Sequence, residues 1–309
     1  MRSFASLLCL SASAHALSAE SLSGVDWRFF AAGGVSAAVS HGYTTPLDVV
    51  KTRMQTNPEL YNGDVLYALR EIIDEEGLDF LLQGLVPTCL GYGLEGALKF
   101  GCYELCKPLF GELTPSPFAN AILASCVAGG VAALVLCPPE DVRIRMVSDP
   151  DYASNALEGF KKRIKEDGPL ASFAAAPAMT AKQVPYTMGK QVSFDYFCQM
   201  SHAFLVAVCS AEALEKVDGL TPVLAALPAA VLACILSQPG DAVLTQFFKK
   251  GPQPGGVLGT VRSITKEGGN AALFRGLKAR LLHVIGIIWV QLVIYDYVKV
   301  SLGLPATGH

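Results

Sequence analysis

Charge is scarce in this chain. Of 309 residues only 17% are Asp, Glu, Lys or Arg, against roughly 25% in an average soluble domain. Too few polar side chains remain to cover two soluble globular surfaces, so an ordinary soluble enzyme is disfavoured. Disorder is excluded as well: 51% of residues are hydrophobic and the mean hydropathy is +0.39, the reverse of a disordered composition. A basic surface is missing, with a net charge of −3, so nothing points to nucleic acid as a partner. The nine cysteines form no CxxC pair. Cys102 and Cys106 lie one helical turn apart in an apolar stretch and read as buried free thiols. Metal-ligand spacing, a GxSxG elbow, a Walker loop and a dinucleotide fingerprint are all lacking. The sequence therefore calls for no enzyme chemistry, no metal and no cofactor.

What it does contain is long apolar runs. They fall near residues 27–54, 86–110, 117–146, 176–209, 221–247 and 278–302, each long enough to cross about 30 Å of hydrocarbon as a helix. The odd runs each meet a proline followed by an acid: Pro46-Leu47-Asp48, Pro138-Pro139-Glu140 and Pro239-Gly240-Asp241. A period of about 100 residues marks three copies of one unit. Each copy continues with an acid–glycine step (Glu76-Gly77, Asp167-Gly168, Glu267-Gly268). Each closes on an aromatic–acid step (Tyr103-Glu104, Phe194-Asp195, Tyr295-Asp296). The expected boundaries are 25–112, 113–210 and 211–305, with two spans per repeat and both ends of the bundle's chain on one side. Residues 1–24 read as a targeting or disordered segment. Arg2, the apolar run Phe4 to Leu10 and small residues up to Ala16 suit a secretory-type signal, whereas one arginine is few for a mitochondrial presequence.

Interior prolines should kink the three odd helices, and kinked helices around a pseudo-threefold axis can close a basin. Asp48 with Lys51 and Glu140 with Arg143, together with Asp241, place charges where a membrane makes them expensive. Such acids and bases, reaching from one repeat to the next, form a gate that makes and breaks. Glu104 with Lys107 and Asp296 with Lys299, joined by Asp195, form a second ring at the other mouth.

These motifs resemble the mitochondrial carrier family over residues 27–302. The strings Pro46–Gln55, Leu90-Gly91-Tyr92, Lys99-Phe100-Gly101, Gln183–Met188 and Ile294–Val300 are most similar to its phosphate-transporting members. So are two gaps, Leu244 and Cys198 standing where repeat motifs carry a base. The resemblance implies an all-α membrane protein of six transmembrane helices in three repeats, with short amphipathic helices on the matrix side. It makes the proline-side ring a matrix gate and the other a cytoplasmic gate. It further implies symport of inorganic phosphate with protons, or exchange against OH⁻, by a monomer in contact with membrane lipid, cardiolipin included. The mitochondrial inner membrane is the implied location, and a plastid envelope or other organelle membrane the alternative. A carrier for another small anion and a non-transporting, carrier-like adaptor are the competing readings.

Helical spacing aligns Gly91, Glu95 and Lys99 on one face of the second helix. It aligns Lys182, Tyr186 and Lys190, beside Gln183, on the fourth, and His283, Ile287 and Gln291 on the sixth, one turn after Arg280. The resemblance turns these faces toward a central cavity and makes Lys99, Lys182, Gln183, Tyr186, Lys190 and Arg280 the substrate-binding set. Lys99, Lys182, Lys190 and Arg280 against Glu95 give a net positive basin suited to an oxyanion. Glu95 and Lys99 are equally placed to pair with each other, Arg280 to support packing, and Lys190 to snorkel toward headgroups. His41 stands where phosphate-transporting members carry a coupling histidine. The third-helix acids that accompany it there are replaced by Gly129 and Ala133. Glu95, where the family usually has glutamine, becomes the expected proton-coupling partner of His41.

Overall fold

The computed structural model describes residues 26–56, 65–111, 114–149, 151–210, 213, 217–250, 254–274 and 277–307. Residues 1–24, read above as a targeting or disordered segment, lie outside them. Six long rods dominate the fold. The first repeat supplies α1 (Trp27–Thr56), the short amphipathic α2 (Val65–Glu76) and α3 (Leu85–Gly111). The second supplies α4 (Pro117–Ser148), the short α5 (Ala156–Asp167) and a rod built from α6 (Ala176–Thr187), a π turn (Met188–Val192) and α7 (Ser193–Val208). The third supplies α8 (Thr221–Lys250), α9 (Gly256–Gly268) and α10 (Leu277–Ser301). No strand occurs among the described residues.

Local chemistry sets the element ends. Ser116 caps α4, its hydroxyl accepting the Ala119 N–H at 3.4 Å, with Pro117 at the first helical position. Asn155 caps α5 by accepting the Glu158 N–H at 3.0 Å. The acid–glycine steps end the amphipathic helices. Gly77 and Gly168 adopt φ of 86° and 89°, conformations that only glycine enters readily. In the third repeat this turn falls one residue later, at Gly269, because Gly268 is still helical. The odd rods run through Pro46, Pro138-Pro139 and Pro239 without interruption.

Contacts run α1–α3, α3–α4, α4–α6, α6–α8, α8–α10 and back from α10 to α1, so the rods close a ring. Small residues allow the close approach. Ala124, Ala128 and Ala132 on α4 and Ala225, Ala229 and Ala233 on α8 are fully buried stripes at helical spacing. At the α1–α3 crossing a Cβ on Gly96 would lie 2.6 Å from the Gly33 carbonyl oxygen. Backbone cannot yield there as a side chain can. Gly96→Val is therefore expected to cost about 3 kcal/mol, the upper part of the overpacking range, and to lower the thermal unfolding midpoint in detergent by several degrees.

The ring is apolar outside and polar within. Leu90, Leu94, Leu134 and Phe204 are exposed, while Glu95, Lys99, Lys190 and Gln291 are buried. Among the described residues three helices are apolar and long enough to span a membrane, by length and composition alone: Pro117–Val147, Thr221–Phe247 and Val284–Ser301. α1, α3 and the α6–α7 rod do not meet that measure; the inward faces of α1 and α3 carry His41, Asp48, Lys51, Glu95 and Lys99.

Candidate functional site

The rods enclose a cavity of about 720 Å³, its open mouth included. Every repeat contributes. α1 brings His41, Asp48 and Lys51; α3 brings Tyr92, Glu95 and Lys99; α4 brings Glu140. α6 adds Lys182, Gln183 and Tyr186, α8 adds Asp241, and α10 adds Arg280 and Gln291.

Two ionic clusters organise these walls. Glu95 and Lys99 form an ion pair along α3, with both side chains 2% exposed. Gln183 reaches across from α6 and serves both: its Oε1 accepts from Lys99 Nζ at 3.4 Å and its Nε2 donates to Glu95 Oε1 at 3.3 Å. Lower in the cavity Lys182 Nζ lies 3.1 Å from Asp241 Oδ1, bridging the second and third repeats. Arg280 Nε stands 3.7 Å from Asp241 Oδ2. The Arg280 guanidinium also donates to Ser237 Oγ at 2.8 Å and Gln238 Oε1 at 3.0 Å, which fixes α10 to α8. Arg280 thus both faces the cavity and supports helix packing.

The basin is not the positive one that counting inward residues suggests. Along the wall, Asp48, Glu95, Glu140 and Asp241 match Lys51, Lys99, Lys182 and Arg280. The gate acids Asp48, Glu140 and Asp241 lie on the same cavity and offset the cations of the even helices. Lys190 does not snorkel either. It is fully buried, donating to Gln291 Oε1 at 2.9 Å with its ammonium 4.8 Å from the Phe100 ring centroid and 5.2 Å from that of Tyr186. The π turn carries it inward, behind the cavity wall.

The two charged rings behave differently. At the proline end the spacing anticipates pairs between repeats, but Glu140 closes on Arg143 of its own helix at 2.8 Å. Arg143 donates to both Glu140 oxygens, and Tyr92 of the first repeat donates a third bond at 3.2 Å. The cross-repeat ion pair described at this end is Lys182–Asp241. At the far end Lys107 of α3 meets Asp195 of α7 at 3.0 Å as well as Glu104 at 3.1 Å, and Tyr103 donates to the same Asp195 at 2.8 Å. Phe100 stacks on Tyr295 beneath them, centroids 4.0 Å apart. Asp296 and Lys299 pair within α10 at 3.6 Å. The far end is sealed while the cavity opens toward the prolines.

His41 stacks flat on Tyr92, centroids 3.7 Å apart, and its Nδ1 is buried without a hydrogen-bond partner. Ala133 is fully buried. A Cβ at Gly129 would lie 2.8 Å from the Val184 Cα, so that position has no room for a carboxylate. The His283 side chain lies outside the described residues. Sequence reasoning gives Tyr92 only as part of the string Leu90-Gly91-Tyr92 and not as a site residue, and it does not name Ser237. Tyr92 sits three residues before Glu95 on a shared face, which was the available signal; Ser237 carried none.

The family model described as mitochondrial carrier protein matches residues 26–113, 114–203 and 216–304. The chain belongs to the mitochondrial carrier family. Members of this family are transporters and not enzymes, and the carrier is a multi-pass protein of the mitochondrial inner membrane. Among its relatives is mitochondrial substrate carrier family protein N of Dictyostelium discoideum, 36% identical over 279 residues, covering 88% of this chain and 93% of that protein. The phosphate carrier protein of Caenorhabditis elegans is 32% identical over 291 residues, 92% of this carrier and 83% of the relative. A probable mitochondrial phosphate carrier of Schizosaccharomyces pombe is 29% identical over 283 residues, 89% and 90%.

Proposed function

We propose that the carrier moves inorganic phosphate across the inner membrane together with a proton, by alternating access. One observation carries this reading. Lys99, Lys182 and Arg280 converge on one cavity from three rods, and each already stands beside a carboxylate, Glu95 or Asp241. Ammonium and guanidinium groups suit a tetrahedral oxyanion. In a wall whose charges balance, an entering anion adds one unmatched negative charge, and a proton that travels with it and neutralises a carboxylate offsets that charge. Relatives named as phosphate carriers support the choice of anion.

Glu95 is the acid we assign to that proton. It contacts Lys99 and Gln183 and shares the cavity with His41 from α1, Glu140 from α4, Lys182 from α6, Asp241 from α8 and Arg280 from α10. His41, with an unpartnered Nδ1, is its coupling partner. The test is uptake of labelled phosphate into liposomes, competed with arsenate, sulfate, malate and ADP. Saturable uptake blocked by arsenate and not by ADP is the expected result; no uptake of phosphate overturns the reading. A second reading, carriage of a different small anion, is favoured by the closed site at Gly129, which removes the usual acid. Sulfate or malate displacing phosphate completely would select it.

A further inference from the structure

The chain does not stop at the end of α10. It turns back on the far-end gate, and the turn is built in detail. The Gly303 N–H donates to the Val300 carbonyl at 2.9 Å and the Leu304 N–H to that of Lys299 at 3.1 Å, with Gly303 at φ 79°. This is the double-bonded glycine cap that ends a helix and reverses its chain. Arg28, in the first turn of α1, donates to the Leu302 carbonyl at 3.0 Å and ties the turn to the neighbouring rod. Leu304 is then buried.

Thr307 completes the fold-back by taking both members of the third-repeat gate pair. Its N–H donates to Asp296 Oδ1 at 2.8 Å, and its hydroxyl accepts from Lys299 Nζ at 2.6 Å. Asp296, Lys299 and Thr307 are all at least nine-tenths buried. The first and second repeats close their part of this ring with each other, through Lys107 and Asp195. The third repeat closes its part against the tail.

We propose that residues 302–307 form a latch: Thr307 holds the third-repeat gate pair shut, and the segment must release Asp296 and Lys299 before this mouth opens. The inference rests on alternating access in the carrier family and is independent of which anion is carried. It requires that loss of the Thr307 contacts favour the state open at the far end over the state described here. A hydrogen bond to a charged group is worth enough to shift such a balance about tenfold or more.

Cys198 and Cys137 report the two states without added residues. Cys198 is fully buried at the sealed end, three residues after Asp195, and Cys137 is buried beside Pro138 at the other. The experiment follows alkylation of each thiol by a water-soluble maleimide in the full-length carrier in nanodiscs, read by peptide mass spectrometry. Thr307→Val removes the hydroxyl alone, Thr307→Pro removes the hydroxyl and the N–H, and Thr307→Ser keeps both. The first two should raise the Cys198 labelling rate about tenfold or more, with Cys137 unchanged or slower, and Thr307→Ser should stay near the native rate. Native Cys198 rates in the valine and proline variants would overturn the proposal. Equal rises at Cys198 and Cys137 would also overturn it, because they would make the tail a general stabiliser of the fold.

Discussion

Lys182→Ala is expected to lower phosphate uptake by about 10- to 100-fold, the loss that follows removal of a charge-assisted hydrogen bond worth about 1.5–3 kcal/mol. Lys182 is the cation that joins the second repeat to the third, through Asp241. Its removal does not strand Asp241, because the Arg280 guanidinium remains 3.7 Å away. The fold should survive, with a thermal unfolding midpoint close to native, while the oxyanion loses a ligand. Lys182→Arg keeps the charge but replaces a compact ammonium with a planar fork, and should restore part of the rate. Native uptake by the alanine variant would remove Lys182 from the site.

Glu95→Gln should separate the anion from the proton. Glutamine has nearly the shape of glutamate, so the bridge to Gln183 can persist, but it carries no charge for Lys99 to neutralise. With one proton per phosphate, each pH unit across the membrane is worth about 1.4 kcal/mol, or about tenfold in accumulation. The native carrier should show that dependence, and the variant should take up phosphate equally with and without the gradient. Freed from its partner, Lys99 should also hold the anion more tightly, lowering KM together with the release rate. Unchanged gradient dependence would exclude Glu95 as the coupling acid.

The three-repeat ring was legible because its signals are covalent and periodic. A proline and an acid recur about every 100 residues, and a glycine closes each short helix. Pairing choices were less legible. Spacing lets Glu140 reach Arg143 on its own helix or a base on the next, and the conformational state decides between them. Here the open proline end leaves Glu140 with Arg143 and Tyr92. Lys190 was ambiguous because no sequence rule marks a π turn, and without that turn its direction cannot be computed from helical period. The tail contacts of Thr307 were invisible, since residues after α10 have neither periodicity nor motif.

The π turn at Met188–Val192 also sets the phase of everything after it. On a regular α-helix Lys190 and Asp195, five residues apart, would diverge by about 140°, whereas a π turn hydrogen-bonds at that same spacing. One inserted residue thus lets a single rod serve the carrier's interior at two depths. Excising one residue from this turn would return it to a regular α-helix with α7 in nearly the same phase, so Asp195 would keep Lys107 while the rod lost the wide turn that holds Lys190.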